Sequence, residues 1–223
     1  MLFPIGDDQV KGGYYPLFSY LFIALNTAIF IYQVMLPGPE LETFVFDYGS
    51  VPSEVVQGQQ LYSLLTSMFL HGGWMHLLGN MLFLWVFADN IEATIGSGRF
   101  LLFYFLGGVI AQAVHIYFNP GSILPTVGAS GSISAVMGAY LVMFPSSRIK
   151  VLFFFFVFRI PALLFLGVWI WQQWLDGTAS LAVSTAESSG VAYWAHIGGF
   201  VFGVLAGLFI LKNNHIQPLI SEP

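Results

Sequence analysis

Residues 195–207 read Ala-His-Ile-Gly-Gly-Phe-Val-Phe-Gly-Val-Leu-Ala-Gly, and this stretch decides the fold. His196, Gly199, Gly203 and Gly207 fall at positions i, i+3, i+7 and i+11, so they form one stripe along an otherwise large and apolar helix. Small residues along such a stripe allow a second helix backbone to approach closely inside a membrane. The stretch therefore predicts a tightly packed membrane helix with a histidine near one end.

A second apolar stretch offers a matching surface. It opens with Gly128-Ala129-Ser130-Gly131 and continues with small residues at Ser134, Ala135 and Gly138. Ser130 and His196 each lie 15 residues from the far end of their apolar stretch. At about 1.5 Å per residue, both side chains are roughly 22 Å from that boundary. We therefore predict that Ser130 and His196 lie at one depth and share a hydrogen bond.

The composition indicates a polytopic membrane protein. Hydrophobic residues make up 57% of the 223 residues and charged residues only 8%, whereas a soluble domain carries about 25% charged residues. Apolar windows long enough to cross about 30 Å of hydrocarbon predict six spans in one domain that covers residues 1–223. The predicted spans are 15–36, 73–91, 100–118, 131–144, 161–174 and 192–211.

The basic residues predict the orientation of these spans. All six fall on one side of the six-span arrangement: Lys11, Arg99, Arg148, Lys150, Arg159 and Lys212. The loops on the other side, residues 37–72, 119–130 and 175–191, contain none. By the positive-inside rule both termini are cytoplasmic, and Ser130 and His196 lie near the extracytoplasmic surface.

Several segments outside the spans also carry predictions. Residues 37–72 are long for a loop but rich in apolar side chains, so we expect them to pack on the bundle or lie in the outer interface. Residues 151–158 either extend span five or dip into the cytoplasmic interface, and we favour the second. Residues 176–190, rich in Ser, Thr, Ala and Gly, are expected to form a mobile outer flap. We expect Glu92 to brace the cytoplasmic loop against Arg99.

Aromatic residues near the ends of the spans are predicted to anchor the protein at the membrane interface, where such rings are enriched. They are Phe153–Phe156, Trp169, Trp171 and Trp174.

The polar residues of the spans fit acyl-transfer chemistry. A serine hydroxyl becomes a good nucleophile when a base within about 2.6–3.2 Å takes its proton. His196 is the candidate base, and because no Asp or Glu lies near it in sequence, a dyad is the simpler interpretation. His76 and Asn80 are spaced i, i+4 on one helix face. With the backbone N–H of Ser130, they are candidate donors to the oxyanion of the intermediate.

The chain contains no cysteine. Disulfides, thiolate catalysis and cysteine metal sites are therefore excluded. We expect neither a cofactor nor a metal.

Taken together, these motifs resemble the rhomboid intramembrane serine proteases over about residues 61–211. The elements are His71-Gly-Gly-Trp-Met-His76-Leu-Leu-Gly-Asn80, Glu92 followed by Gly96-Ser-Gly98, Gly128-Ala-Ser130-Gly, and Ala195-His196-x-x-Gly199-x-x-x-Gly203. The resemblance implies an all-α membrane protein, a rhomboid-like bundle of six transmembrane helices with cytoplasmic termini. It also implies that Ser130 is the nucleophile, His196 its general base, and His76 and Asn80 part of the oxyanion hole.

The resemblance further implies a function and a location. The function is that of a serine endopeptidase that cleaves peptide bonds in or near the transmembrane segments of other membrane proteins. The location is a lipid bilayer, that of a bacterial inner membrane, with the site opening to the extracytoplasmic side. We expect no nucleic-acid partner, and the oligomeric state is left open.

One pair of residues departs from the family pattern. Many rhomboids carry a Trp-Arg pair in the first long loop, where this chain has Tyr62-Ser63. The difference leaves open how residues 37–72 are held.

Other interpretations were weighed against this one. Taken singly, the Gly-x-Ser-Gly motif, or His76 with Asn80, is more simply explained by helix packing. A rhomboid-fold protein that binds membrane clients without cleaving them would lack Ser130 or His196, and both are present. A transporter or channel would need broken helices in paired halves or a charged path across the bilayer, and the sequence shows neither.

Overall fold

The fold is seen in a computed structural model, which describes residues 3–8, 10, 13–181 and 191–214. The long helices within these residues are α1 (Leu17–Met35), α5 (Trp74–Ile95), α6 (Ser97–Phe118), α7 (Ser130–Met143), α8 (Ala162–Ser180) and α9 (Tyr193–Asn214). The shorter elements are α2 (Gly38–Tyr48), α3 (Pro52–Val56), α4 (Ser63–Thr66), a 3-10 turn (Ser67–Phe69), β1 (Phe3–Gly6), β2 (Arg148–Phe153) and β3 (Phe156–Pro161).

Each predicted span coincides with one long helix, and the ends differ by at most four residues except that α8 continues six residues beyond its predicted end. By length and hydropathy, three of the described helices are able to cross a membrane: α1, α6, and α9 as far as Lys212. The shorter apolar helix α7 is about 21 Å long, against about 30 Å for the hydrocarbon core. A mostly helical membrane protein is therefore confirmed, while the six crossings and the cytoplasmic termini stay predictions.

The predicted close packing of the two small-residue helices is confirmed. Most residues of α7 are buried, and α9 packs against it backbone to backbone. A Cβ atom added at Gly203 would lie 1.9 Å from the carbonyl oxygen of Ala135, and one at Gly199 would lie 2.2 Å from that of Gly131. These distances are far below van der Waals contact, so only glycine fits at either position.

Residues 37–72 pack on the bundle. They fold into α2, α3, α4 and the 3-10 turn, and they pair with the segment that leads into α7. Ser50 and Thr126 exchange backbone hydrogen bonds of 3.0 and 2.8 Å, and the N–H of Gly128 donates to the carbonyl of Ser67 at 2.9 Å. This long connection therefore helps to position the start of α7.

Side chains of α4 and of Tyr62, the residue before it, brace the same connection, where the sequence left open how residues 37–72 are held. The Tyr62 hydroxyl donates to the carbonyl of Asp47 at 3.0 Å, and the Thr66 hydroxyl donates to the carbonyl of Tyr48 at 2.7 Å. Ser63 is fully buried. Hydroxyl-to-backbone bonds thus tie α4 to the end of α2.

The chain between α7 and α8 forms a hairpin that pairs with β1 in a small sheet, which the all-α prediction did not include. β1, β2 and β3 form an antiparallel sheet in that order. Residues 151–158 belong to the β2–β3 hairpin, whose two-residue turn is Phe154–Phe155, so the helix-extension alternative is wrong. Valine and phenylalanine favour strands, and β2 gains a hydrogen-bonded partner on each side. The interfacial location of these residues stays a prediction.

Two acidic side chains fasten the sheet to the helices. Asp7 is buried and accepts hydrogen bonds from Asn90 Nδ2 of α5, at 2.5 Å, and from the Tyr140 hydroxyl of α7. Asp8 accepts a bond from the backbone N–H at the start of β2, and it lies 3.8 Å from the Arg159 guanidinium of β3. The segment after β1 therefore joins both helices to the hairpin.

Glu92 has partners other than the predicted one. Its buried carboxylate accepts hydrogen bonds from the backbone N–H groups of Phe18 and Ser19, at 2.9 and 2.7 Å, and from the Ser19 hydroxyl at 2.7 Å. The first N–H groups of a helix lack intrahelical acceptors, and the helix dipole favours a negative charge there. Glu92 therefore caps the start of α1, and the prediction that it braces the loop against Arg99 is wrong.

Part of the predicted outer flap is helical, because α8 continues to Ser180. Residues 182–190, which make up the rest of the flap, lie outside the described residues, as does Lys11.

Candidate active site

The structure brings Ser130 and His196 together, as predicted. Ser130 is the first residue of α7, and His196 lies in the first turn of α9. The Ser130 Oγ atom is 2.8 Å from His196 Nε2, within hydrogen-bonding distance. The contact follows from the close packing of the two helices along their small faces. The catalytic roles of both residues stay predictions.

Ser134 lies one turn along α7 from Ser130 and has a different role. Its hydroxyl donates to the carbonyl oxygen of Ser130 at 2.6 Å. That bond lies within the helix, so Ser134 supports the geometry of the first turn. It therefore serves as a natural control for Ser130.

α8 contributes two residues that the sequence analysis did not place in the site. Gln173 Oε1 lies 2.7 Å from His196 Nδ1, the ring nitrogen that faces away from Ser130. The Trp169 ring packs beside the imidazole, with ring centroids 5.8 Å apart. Trp169 therefore lines the site, and the prediction that it also anchors the protein at the interface stays a prediction.

One signal in the sequence could have identified Gln173. It is a polar residue inside a predicted span, and such residues usually have a partner within the bundle. It also follows Trp169 by four positions, so the two side chains share one helix face. Nothing in the sequence showed which residue that face would meet.

His76 and Asn80 lie on one face of α5, as their spacing predicted, and that face meets the segment that leads into α7. A Cβ atom added at Gly128 would lie 2.7 Å from His76 Nε2 and 3.4 Å from Asn80 Nδ2. Gly128 also has a φ of +125°, which L-residues with side chains rarely adopt. Glycine is thus required both by the backbone conformation and by the two side chains beside it.

The side chains of α5 present hydrogen-bond donors to this segment. The N–H of Gly72 donates to His76 Nδ1 at 3.3 Å, so in the neutral ring the proton is on Nε2, the atom nearest Gly128. Asn80 Nδ2 is buried and has no hydrogen-bond partner among the described residues. A buried donor without a partner lowers the stability of the fold, because it has lost its hydrogen bonds to water. This one lies beside Gly128, two residues before Ser130.

The described residues show no metal site. No group of three or more His, Cys, Asp or Glu side chains within them could hold a metal ion. The expectation that the chain uses neither a metal nor a cofactor stays a prediction.

The fold and the site define a class of protein, a helical membrane protein with a hydrogen-bonded serine–histidine pair beside two side-chain donors. The family model described as "Rhomboid domain" matches residues 58–213. The chain therefore belongs to the rhomboid family.

Curated relatives agree with this assignment. "Rhomboid protease GluP" of Bacillus subtilis is 31% identical over 191 residues, which cover 86% of this chain and 34% of that protein. "Rhomboid protein 1, mitochondrial" of Saccharomyces cerevisiae is 29% identical over 199 residues, 86% of this chain and 53% of that protein. "Presenilin-associated rhomboid-like protein A, mitochondrial" of Danio rerio is 28% identical over 191 residues, 82% of this chain and 45% of that protein.

The match covers most of this chain but only a third to about a half of these three relatives. They come from a bacterium and from mitochondria. The family and the apolar helices of this chain indicate a multi-pass membrane protein, and its location in a bacterial inner membrane stays a prediction.

Proposed function

We propose that this chain is an intramembrane serine endopeptidase that hydrolyses peptide bonds in or near the transmembrane segments of other membrane proteins. The observation that carries the proposal is the 2.8 Å contact between Ser130 Oγ and His196 Nε2. A neutral imidazole at this distance can accept the hydroxyl proton and so activate the serine. The name of the Bacillus subtilis relative, a rhomboid protease, supports the same class.

The proposed reaction has two stages. Ser130 Oγ attacks the carbonyl carbon of the substrate while its proton passes to His196 Nε2, which gives a tetrahedral oxyanion. His196 then donates that proton to the leaving amine as the C–N bond breaks, and an acyl-enzyme remains. A water molecule gives a proton to His196 and attacks the ester, which frees the acid and restores the Ser130 hydroxyl. The substrate helix must unwind locally, because an intact helix shields its carbonyl groups.

We propose that three donors stabilise the oxyanion. They are the backbone N–H of Ser130 at the start of α7, Asn80 Nδ2 and His76 Nε2. We expect the Asn80 amide to contribute most to this stabilisation, because it is buried and otherwise without a partner among the described residues. A preorganised donor of this kind contributes about 100- to 1,000-fold to kcat in a comparable site.

The first experiment tests the nucleophile and its base. Wild type and the variants Ser130→Ala, His196→Ala and Ser134→Ala are compared for cleavage of a model transmembrane substrate in proteoliposomes. They are also compared for labelling by a fluorophosphonate. We expect Ser130→Ala and His196→Ala to lose cleavage, and Ser130→Ala to lose labelling. Ser134→Ala should keep both, because its hydroxyl bonds only within the helix. Cleavage that is retained by Ser130→Ala refutes the proposal.

The second experiment tests the oxyanion site. Asn80→Ala is expected to lower kcat by about 100- to 1,000-fold with partial activity left, because the Ser130 amide remains as a donor. Thermal unfolding in detergent confirms that the variant is folded. An unchanged kcat removes Asn80 from the mechanism.

We also propose that the site opens to the extracytoplasmic face, with both termini cytoplasmic. Support comes from the three basic residues of the β2–β3 hairpin, which lies at the ends of α7 and α8 remote from Ser130. The cysteine-free sequence allows a direct test with single-cysteine variants. In intact cells, a membrane-impermeant maleimide should label Gly121→Cys, and it should label Arg148→Cys only after lysis. The reverse pattern overturns the orientation.

A further inference from the structure

We propose that the β2–β3 hairpin is a lipid-binding element, which inserts its aromatic tip into the adjacent membrane leaflet and binds anionic headgroups with its basic side chains. The hairpin connects the end of α7 to the start of α8, so it lies at the membrane end opposite Ser130 and His196. Its exposed surface is not used by the proposed reaction.

The two faces of the hairpin have different chemistry. Directly opposed residues of an antiparallel pair point to the same face. One face is apolar throughout and consists of the pairs Ile149–Ile160, Val151–Phe158 and Phe153–Phe156. The other face consists of the pairs Arg148–Pro161, Lys150–Arg159 and Leu152–Val157. The hairpin is therefore amphipathic, with the basic residues at its base and apolar residues at its tip.

The apolar face begins inside the protein and extends out of it. Ile149 and Val151 are fully buried, while Phe158, on the same face as both, is 40% exposed. At the tip, Phe155 is 94% exposed, and its two neighbours are each more than 70% exposed. A contiguous aromatic patch of this kind is unusual on a surface that faces water. Aromatic rings are enriched where a membrane meets water, which fits a tip that enters the leaflet.

The basic residues identify the kind of lipid. Three of the six Lys and Arg residues of the chain, Arg148, Lys150 and Arg159, lie in this hairpin. The Arg148 side chain is exposed, and that of Arg159 is 52% exposed even though it contacts Asp8. Basic residues beside an inserted apolar surface attract anionic phospholipids. The partner is therefore the anionic surface of the bilayer that holds the protein.

The insertion is tested with the whole chain in nanodiscs. Phe155→Cys, the only cysteine then present, carries an environment-sensitive fluorophore, and nitroxide-labelled lipids serve as quenchers. We expect strong quenching by the lipids and weak quenching by aqueous iodide. Additional Phe154→Ser and Phe156→Ser changes should reverse this pattern. Quenching by iodide alone overturns the proposal, as does self-quenching between labels that disappears on dilution, because that result indicates a second copy of the chain.

The lipid charge is tested with the same label. We expect deeper insertion in nanodiscs with phosphatidylglycerol than in those with phosphatidylcholine, and no such difference when Arg148→Gln and Lys150→Gln are combined. Lys212→Gln, which removes an exposed charge at the end of α9, should keep the difference. A difference that persists in the hairpin variant overturns the anionic-lipid part of the proposal.

A separate observation carries a second inference, which rests on the proposed function. We infer that Gln173 is a positioning residue that selects the reactive tautomer of His196. Its Oε1 atom lies 2.7 Å from His196 Nδ1. An amide oxygen is only an acceptor, so this contact requires the ring proton on Nδ1 and leaves the lone pair on Nε2. Nε2 is the nitrogen that faces Ser130 Oγ, so the amide holds the ring as a base.

The buried amide also orients the ring. Gln173 comes from α8, whereas His196 and Ser130 come from α9 and α7, so three helices fix the chain of contacts. The amide takes the place that a carboxylate has in a serine–histidine–aspartate triad. Unlike a carboxylate, it adds no charge beside the protonated imidazole.

The test compares Gln173→Ala, Gln173→Glu and Gln172→Ala, a neighbouring exposed glutamine. We expect Gln173→Ala to lower kcat by about 10- to 100-fold with little change in KM, as for other residues that orient a functional histidine. Gln173→Glu should restore activity and move the acidic limb of the pH–kcat profile to higher pH, because a carboxylate favours the protonated ring. His76 and His115, the other titratable groups that act on His196, are unchanged in all three variants.

The outcomes separate this inference from the proposed function. A wild type that is neither active nor labelled by a fluorophosphonate refutes the proposed function. A labelled and active wild type, with kcat and pH profile unchanged in both Gln173 variants, refutes only the role of Gln173.

Discussion

Replacing Gly203 by alanine tests whether the glycine packing of α9 sets the geometry of the site. The added Cβ atom would lie 1.9 Å from the carbonyl oxygen of Ala135, whereas ordinary contact begins at 3.4 Å. The nearest atoms belong to the α7 backbone, which cannot rotate away as a side chain can. α9 must therefore move away from α7 by about the missing 1.5 Å.

This displacement has two expected consequences. Overpacking a tight interface costs about 1–3 kcal/mol of stability. A shift of even half that distance at the head of α9 lengthens the contact of 2.8 Å between Ser130 and His196 beyond a hydrogen bond. A misplacement of about 1 Å in a catalytic group can lower the rate by roughly 100-fold. We therefore expect Gly203→Ala to lose most of its activity along with some stability.

The measurements are kcat for a model transmembrane substrate in proteoliposomes and unfolding by SDS in mixed micelles. Gly167→Ala is the matched control, because Gly167 is also a helical glycine but has no atom within 4 Å of its added Cβ. The control should keep full activity and unfold at the same or a higher SDS fraction. If Gly203→Ala matches the control in both assays, the close approach of α7 and α9 does not set the geometry of the site.

Substitutions at three further positions have defined outcomes. Glu92→Ala removes the acceptor of three hydrogen bonds at the start of α1 and should lower stability by about 3 kcal/mol in SDS unfolding. Glu92→Gln, which keeps one acceptor oxygen, should lose less stability. If the two Glu92 variants are equally stable, the capping role is contradicted. Tyr62→Phe removes the hydroxyl that donates to Asp47 and should cost about 1 kcal/mol or less, with activity retained. Gly128→Ala strains a φ of +125° and crowds His76, so cleavage should be lost; normal turnover contradicts the proposed oxyanion site.

The central contact of the site was predictable from the sequence. Ser130 and His196 could be placed together because helix rise is regular, so equal distances from one boundary imply equal depth. The small residues of both helices then indicated which faces meet. His76 and Asn80 followed from their i, i+4 spacing, which places them on one face of α5.

Other features depend on contacts between distant residues, which local patterns do not reveal. The apolar run 151–158 has no glycine or proline to mark its turn, and the partner strand β1 lies far away in sequence. Glu92 was assigned to the nearest cation, while its actual partners are backbone N–H groups of α1. Gln173 was missed because the orientation of α8 relative to α9 is set by tertiary packing alone.

The pairing of β1 with β2 also bears on the order of folding. Phe3 pairs with Leu152, and Asp7 bonds with Tyr140. Neither contact can form before all of the chain between its two residues has been synthesised. Contacts of such large sequence separation form late, because closing the long loop costs chain entropy before the contact contributes any stabilising energy. During membrane insertion the first strand therefore stays unpaired while α1, α5 and α6 are already in place. A stalled ribosome that exposes residues up to 120 should carry a chain that can form the bond between Asp7 and Asn90 but not the pairing of β1 with β2. The backbone N–H groups of β1 should therefore exchange with solvent until the full chain is released.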